Sequence, residues 1–305
     1  MNIYMKQKNR FRSGRRSYSE WAWAYAFIAP TILGLIILNI IPFFQSVWLS
    51  LQDKYTGRPG IGNYIRMFTQ DGLFWRSNLN TLVFTLLTVP VGVILSLLFA
   101  SLLNRSIKGR NLYRGIFFLP LVCAPAAVAM VWRWVVFNSQ SGFLNYLLSR
   151  VGITGPNWIT DPNVVMFSIA IVAVWSSVGY DMVLLLAGMQ SIPKVYYEAA
   201  KIDGVSPLQQ FRYITIPLVS PTLFFVVIMR TMNALRQFDL SFMFAKDTDP
   251  TFPAVQTLIY LFYRETYVKL NPNYGSAIVI WTLLLILALT ALQFRGEKKW
   301  VYYDS

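Results

Sequence analysis

The chain has 305 residues, of which 55% are hydrophobic and only 13% are charged, and its mean hydropathy is +0.47. Soluble domains carry about 25% charged residues, so this composition excludes a soluble globular enzyme and a disordered chain. The formal net charge is nevertheless +14, which is typical of a membrane protein whose charges lie outside its hydrophobic segments. Membrane topology accounts for these basic residues, so nucleic acid is not an expected partner.

The scarcity of reactive side chains excludes several kinds of site. Cys123 is the only cysteine and histidine is absent, so an intrachain disulfide is impossible, and neither a metal site nor a catalytic centre is expected. The sequence also lacks the phosphate-binding pattern GxxxxGK[ST]. We therefore expect no nucleotide hydrolysis and no bound cofactor in this chain.

Hydropathy divides the chain into a basic tail, residues 1–20, and a membrane domain, residues 21–305. A membrane-spanning helix needs about 20 mostly apolar residues, and six stretches of the second part qualify. Their length and continuity favour helices over the strands of an outer-membrane barrel, and Pro42, Pro90, Pro120 and Pro125 predict kinks in them. The predicted spans are residues 23–41 (continuing towards 51), 79–103, 115–137, 164–189, 214–235 and 274–294.

The distribution of Lys and Arg predicts the orientation of these spans. The two tails and the loops after the second and fourth spans together hold 16 Lys and Arg, whereas the other loops hold eight. Since basic residues are enriched in cytoplasmic loops, both termini are expected in the cytoplasm.

The loop between the fourth and fifth spans, residues 190–217, has a sequence that predicts helix, turn and helix. Pro193 begins an amphipathic helix, and Asp203-Gly204 ends it because glycine readily adopts the left-handed conformation. Ser206-Pro207 then begins a second short helix, and Pro217 marks the start of the fifth span. The small side chains of Ala199 and Ala200 predict close approach by a partner protein.

This loop resembles the EAA loop of ABC-importer permeases. Glu198-Ala199-Ala200, Gly204, Ile214 and Pro217 match its spacing, while Ile216 replaces the usual leucine. Further segments are similar to the carbohydrate branch, in particular to the F-type subunits of maltose-like and glycerol-phosphate-like importers: Pro156-Asn157-Trp158, residues 186–193 and Lys299-Trp300. The resemblance implies an all-α polytopic protein with six transmembrane helices and the type I ABC importer permease fold.

It also implies an assembly in the bacterial cytoplasmic (inner) membrane. The expected partners are a second, different permease subunit, a dimer of ATP-binding subunits, an extracytoplasmic solute-binding protein, membrane lipid and a saccharide. ATP and Mg would be bound by the ATPase, not by this chain. The EAA loop would couple the permease to one ATPase subunit through a set of five residues: Glu198, Ala199, Ala200, Asp203 and Gly204.

The same resemblance places the saccharide site near the bilayer midplane, on the fourth and fifth spans. A tyrosine ring that stacks on a sugar, with hydroxyl and amide groups beside it, is suitable chemistry. The positions that match the family's sugar contacts, with their charged neighbours, are Ser177, Tyr180, Asp181, Arg230, Asn233, Arg236 and Gln237.

Three arginines lie inside a predicted span or directly at its end, where an unpaired charge is costly: Arg133, Arg230 and Arg236. For Arg133 we favour a position near the outer interface, and for Arg230 structural and substrate-binding roles both remain open, with Asp181 as the intramembrane partner. The carbohydrate branch is usually uncharged at positions 230 and 236, which raises the hypothesis of an acidic, uronate-containing saccharide. A secondary transporter would need more midplane carboxylates than Asp181, and an ion channel would need a selectivity-filter motif.

Overall fold

The computed structural model describes residues 18–105, 108–138 and 142–302. Helices dominate these residues, and a lone antiparallel bridge between Gln52 and Pro59 is the only β-type pairing among them. The chain divides into two compact units, Met1–Trp48 and Leu49–Ser305. The predicted basic tail lies outside the described residues up to position 17, and helix begins at Tyr18.

The first long helix carries a local widening before a proline. It comprises α1 (Tyr18–Leu35), a π-helical turn (Ile36–Ile40) and α2 (Ile41–Ser50). Pro42 cannot donate an N–H to the carbonyl of Leu38, and its ring crowds that carbonyl. The wider turn directly before Pro42 accommodates this crowding without a break, so the predicted span does continue well beyond residue 41.

The connections between the remaining helices vary in length, and four π-helical turns extend or interrupt helices of the described part of the chain. The elements after α2 are α3 (Gly62–Thr69), α4 (Gly72–Asn104), α5 (Arg110–Val122), α6 (Pro125–Val131, then a π-helical turn Trp132–Val136), α7 (Phe143–Arg150), α8 (Val165–Gln190), α9 (Lys194–Ile202), α10 (Pro207–Gln210, then a π-helical turn Phe211–Thr215), α11 (Ile216–Leu235), α12 (Asp239–Phe244), α13 (Phe252–Val255), α14 (Leu258–Tyr263, then a π-helical turn Arg264–Val268) and α15 (Pro272–Glu297).

Among the described residues, five continuous helices are long and apolar enough to cross a membrane, and they coincide with five of the six predicted spans. Four of them are longer than predicted, whereas Val165–Gln190 has the predicted length and is shifted by one residue. Their bounds are Trp21–Ser50, Gly72–Asn104, Val165–Gln190, Pro207–Leu235 and Pro272–Glu297.

The predicted third span is not a single helix. Arg110–Val122 and Pro125–Val136 meet at an angle of 100°, so a sixth span exists only if this bent pair crosses the membrane as one unit. Pro125 restricts the residue before it to extended conformations, and Ala124 (ψ 130°) and Cys123 (ψ 143°) are both extended. The kink predicted at Pro125 is therefore a complete break of the helix.

Helix α4 packs closely against α8 and carries a stripe of small, buried side chains. Such residues permit close approach of membrane helices, and the hydroxyl of Ser96 reaches the carbonyl of Val178 at 3.2 Å. The threonine hydroxyls of the stripe donate to carbonyls four residues earlier, at 2.8 Å, so their polar atoms are satisfied. The stripe consists of Ser77, Thr81, Thr85, Thr88, Gly92, Ser96 and Ala100.

Apolar clusters fill the space on both sides of this contact. One surrounds Met182 and Leu186 of α8 and Val226 of α11, near the end of α4 at Leu103. A second, nearer Phe84 at the other half of α4, joins α6, α8 and α12. A third packs α3, α4 and α14 against α15. Helices α4, α8 and α11 thus form the centre of the second unit.

Candidate functional site

A buried charge cluster lies where α4, α8 and α11 meet. The side chains of Arg230 and Asp181 are 7% and 5% exposed, and Arg230 Nε donates to Asp181 Oδ2. Arg230 Nη1 donates to the backbone carbonyl of Thr88 at 2.8 Å, and Nη2 donates to Ser177 Oγ at 2.6 Å. All three nitrogens of one guanidinium group are therefore bonded, and each bond goes to α4 or α8.

Gly92 provides the space for this guanidinium group. A Cβ atom at position 92 would lie 1.3 Å from Arg230 Nη1 and 2.0 Å from Arg230 Cζ. Any larger residue would push the guanidinium away from Asp181. Sequence reasoning missed Gly92 and Thr88, although both belong to the periodic stripe of small residues along α4, which was the available signal.

The pairing of Asp181 with an arginine of the spans was predicted, and the contact with Arg230 confirms it. Two charges removed from water are tolerated only when they are paired and their remaining hydrogen-bonding groups are satisfied. Here the charges balance, and the acceptors on Thr88 and Ser177 serve the guanidinium N–H groups. The cluster links three helices and carries no net charge.

The other residues predicted for the saccharide site do not join this cluster within the part of the chain that the structure describes. Tyr180 precedes Asp181 on α8 but is 40% exposed, and Asn233 is exposed near the end of α11. Arg236 follows the last residue of α11, is exposed, and donates from Nε to the carbonyl of Met232 at 3.2 Å. Gln237 is half-buried, and its carbonyl accepts a hydrogen bond from Thr257 Oγ1 at 2.7 Å.

Arg133, predicted to lie near an interface, is anchored by neighbouring elements. Its Nη1 donates to the carbonyl of Met243 at 2.8 Å, and its Nη2 lies 3.8 Å from Asp249 Oδ2. It borders a cavity of about 540 Å³ together with the buried Tyr260. Burial raises the pKa of the Tyr260 phenol to about 12, so this hydroxyl stays protonated and donates to the carbonyl of Ala245 at 3.0 Å.

The segment after α8 has the predicted turn geometry. Helix α9 covers Lys194–Ile202, and Gly204 follows in the left-handed conformation, with φ 72°. Ser206 and Gln209 form a reciprocal capping box that begins the next helix. That helix was predicted to be short and separate. It instead continues through the π-helical turn Phe211–Thr215 into α11. This wider turn lies just before Pro217 and accommodates its ring, which would otherwise crowd the carbonyl of Tyr213.

Helix α9 has one face against the chain and one exposed face. Tyr197 and Thr215 share a hydrogen bond of 3.0 Å between their hydroxyls, and Ala200 is only 6% exposed. Val195 and Ile202 are 62% and 87% exposed. Ala200, which we expected to permit approach by a partner, is therefore covered by its own chain.

The other residues assigned to coupling lie on the open side of this segment. Glu198, Ala199, Asp203 and Gly204 are all exposed. Nothing lies within 4 Å of a Cβ built at Gly204. Four of the five predicted coupling residues are thus accessible, next to two exposed aliphatic side chains that water solvates poorly.

Comparison with known proteins places these features in a family. The family model described as "Binding-protein-dependent transport system inner membrane component" matches residues 72–301. The trehalose/maltose transport system permease protein MalF of Thermococcus litoralis is 33% identical over 288 residues, which cover 93% of this chain and 96% of that protein. The sn-glycerol-3-phosphate transport system permease protein UgpA of Yersinia pestis is 31% identical over 286 residues, covering 92% and 95%.

Among solved structures, the chain is similar to one from a bacterial alginate ABC transporter in complex with an alginate pentasaccharide-bound periplasmic protein. The TM-score is 0.82, the sequence identity is 22%, and the match covers 92% of this chain and 96% of that one. At this identity the likeness is evidence of a shared fold.

Proposed function

Because the chain belongs to the family of binding-protein-dependent transport system inner membrane components, we propose that it is a permease subunit of an ATP-driven saccharide importer. The predicted all-α type I ABC importer permease fold supports this proposal, since it is the fold of the structural neighbour. The observation that carries it is the α9 segment, an exposed helix with aliphatic side chains turned away from its own chain.

The coupling role follows from the two faces of α9. Its inner face is attached to the start of the fifth span through the hydrogen bond between Tyr197 and Thr215. Its outer face presents Val195, Glu198 and Ile202, a combination of apolar and charged groups that suits a cleft in an ATPase subunit. Closure of an ATPase dimer around ATP and Mg would then move α9 and α11 together and bias the permease towards one global state.

The proposed orientation places this segment and both termini in the cytoplasm. The 16 Lys and Arg of the tails and of the loops after the second and fourth spans, against eight in the other loops, support it. The family description makes the chain an inner membrane component. A solute-binding protein would then deliver cargo to the opposite side, and a second, different permease subunit would complete the pathway.

The cargo is proposed to be a sugar or oligosaccharide. The relatives named for trehalose/maltose and for alginate transport support the class. Tyr180, Asn233, Arg236 and Gln237 are the proposed contacts, since each is exposed or half-buried. Ser177, Asp181 and Arg230 already bond to one another, so their proposed part in transport is to hold the helices that carry those contacts.

Affinity purification of the tagged full-length chain from its own membranes tests this proposal. We expect an ATPase and a second polytopic protein to co-purify, and reconstituted vesicles with the binding protein to take up a saccharide only with ATP inside. The chain purified alone should have no ATPase activity. Ion-gradient-driven uptake by the chain alone would contradict the proposal and favour a secondary transporter.

A further inference from the structure

A cavity of about 650 Å³ lies where α4 and α8 end and α5 begins. Asn104 closes α4, Arg110 opens α5 and Gln190 closes α8, and all three line the cavity. The inner face of α9 forms another wall. The ends of membrane-spanning helices lie at the depth of the lipid headgroups, so this cavity is at the boundary between bilayer and water.

The lining of the cavity is basic. It includes Arg105, Arg110, Lys194 and Lys201, and the lining residues include no Asp or Glu. Within the described ranges of the chain, none of these four cations forms an ion pair. Four cations around one concave surface, without a balancing carboxylate, favour an anionic occupant.

The guanidinium group of Arg110 is incompletely hydrogen-bonded. Its Nε and Nη2 atoms are buried and have no hydrogen-bond partner among the described residues. A buried donor without an acceptor is unfavourable, and a guanidinium group matches the geometry of phosphate oxygens. Helix α5 also has no side-chain cap at its N-terminus after Gly109, and a helix N-terminus favours an anion.

We propose that this basic cavity binds a phosphate group, such as the headgroup of an anionic phospholipid. Basic pockets between membrane helices at the headgroup level are suited to such lipids. Lys194 and Lys201 lie on the face of α9 that is turned towards the cavity, whereas Val195 and Ile202 are on its exposed face. The phosphate site is therefore separate from the surface proposed for the ATPase and does not depend on the transport function.

Two variants of the full-length chain test the site, with one matched control. Arg110→Gln and Lys201→Gln each remove one cation from the cavity, while Arg212→Gln removes one from an exposed side chain outside its lining. Lys201 is exposed, so its substitution leaves the fold intact even if Arg110→Gln does not. The purified proteins are titrated in nanodiscs with phosphatidylglycerol against phosphatidylcholine, and in detergent with inorganic phosphate, with melting temperature and retained lipid as readouts.

We expect wild type to prefer phosphatidylglycerol. Each cavity variant should weaken that binding about tenfold more than Arg212→Gln does, the effect of losing one charge-assisted hydrogen bond. A response to inorganic phosphate alone would identify free phosphate as the source of the same chemistry. Equal behaviour of all three variants towards both probes would overturn the proposal. The proposal would also be overturned if the cavity variants bound both probes like wild type but no longer retained a co-purifying protein. That result would identify an acidic protein segment as the occupant.

Discussion

Asp181 and Arg230 form a buried ion pair that joins α8 to α11 in the centre of the second unit. The same guanidinium group reaches α4 through the carbonyl of Thr88. A displacement of any of these three helices would break hydrogen bonds of the Arg230 side chain. The ion pair therefore fixes the positions of the three helices relative to one another. Because its charges cancel, the pair offers no net positive charge to a cargo.

Removal of one partner from this pair should destabilise the protein strongly. Arg230→Met leaves the Asp181 carboxylate buried without a counter-charge, and a cost of about 3–5 kcal/mol is expected. The double variant Asp181→Leu with Arg230→Met should recover most of the loss, because an apolar pair needs no compensation. Thermal unfolding in detergent measures both effects, with the exposed Arg236→Met as the control. Similar melting temperatures for Arg230→Met and Arg236→Met would contradict the structural role.

Gly92→Ala should displace the guanidinium group, since the added Cβ would overlap Arg230 Nη1. We expect a loss of about 1–3 kcal/mol in unfolding free energy, the cost of overpacking. Gly115→Ala is the matched control, because nothing lies within 4 Å of a Cβ on that helical glycine. In the background of Asp181→Leu with Arg230→Met, Gly92→Ala should cost less unfolding free energy, because the guanidinium group that it displaces is absent. Comparison of the two backgrounds is a mutant cycle, which isolates the contact between positions 92 and 230. An undiminished effect would assign Gly92 to helix packing alone.

The parts of the fold that depend on local composition were predictable from sequence. Five continuous spans were found because long apolar runs leave few alternatives in a membrane. The turn at Gly204 was found because few residues adopt a positive φ easily. The pairing of Asp181 was found because a buried charge needs a counter-charge.

The parts that depend on contact between distant segments were not predictable. The break before Pro125 is a local effect that the sequence predicted only as a kink, because the apolar residues around Cys123 and Ala124 continue the hydropathy of the span and do not indicate an angle of 100°. The role of Gly92 depends on which residue of α11 lies opposite it, and one sequence does not determine that register. The burial of Ala200 likewise depends on the contact of α9 with the start of the fifth span.

Substitution at Gly204 should separate coupling from folding. Gly204→Asp places a side chain at φ 72° in the proposed coupling segment, and saccharide uptake should be lost while membrane insertion is unchanged. Gly152→Asp imposes the same backbone strain at φ 76° in a distant loop, also with nothing within 4 Å of the added Cβ, and should retain uptake. For both variants, saccharide uptake and ATPase activity are measured in reconstituted vesicles. Normal transport by Gly204→Asp would show that the coupling assignment is wrong.

The exposed face of α9 should be required for association with the ATPase. Ile202 is 87% exposed, so Ile202→Ser costs the isolated chain little, while loss of an apolar contact of this size in a protein interface should weaken association by about 1–3 kcal/mol. Ile153→Ser, at a residue that is 54% exposed outside this segment, is the control. Binding to the purified ATPase subunit is the measurement. Equal affinities of both variants would exclude Ile202 from the contact.

The charge of the cargo can be tested at two arginines that differ in their surroundings. Arg230 is neutralised by Asp181, so Arg230→Ala should reduce uptake of neutral and uronate oligosaccharides to a similar extent, through the loss of helix register. Arg236 is exposed beyond α11, and its guanidinium group is available for a carboxylate. Arg236→Gln should therefore reduce uptake of uronate oligosaccharides about tenfold, the loss of one charge-assisted hydrogen bond, and should leave neutral ones nearly unchanged. Competition uptake in reconstituted vesicles, with both sugars present, measures the ratio directly. If Arg236→Gln reduces the uptake of both sugars equally, Arg236 does not recognise the carboxylate. Recognition of the cargo would then rest on its hydroxyl groups.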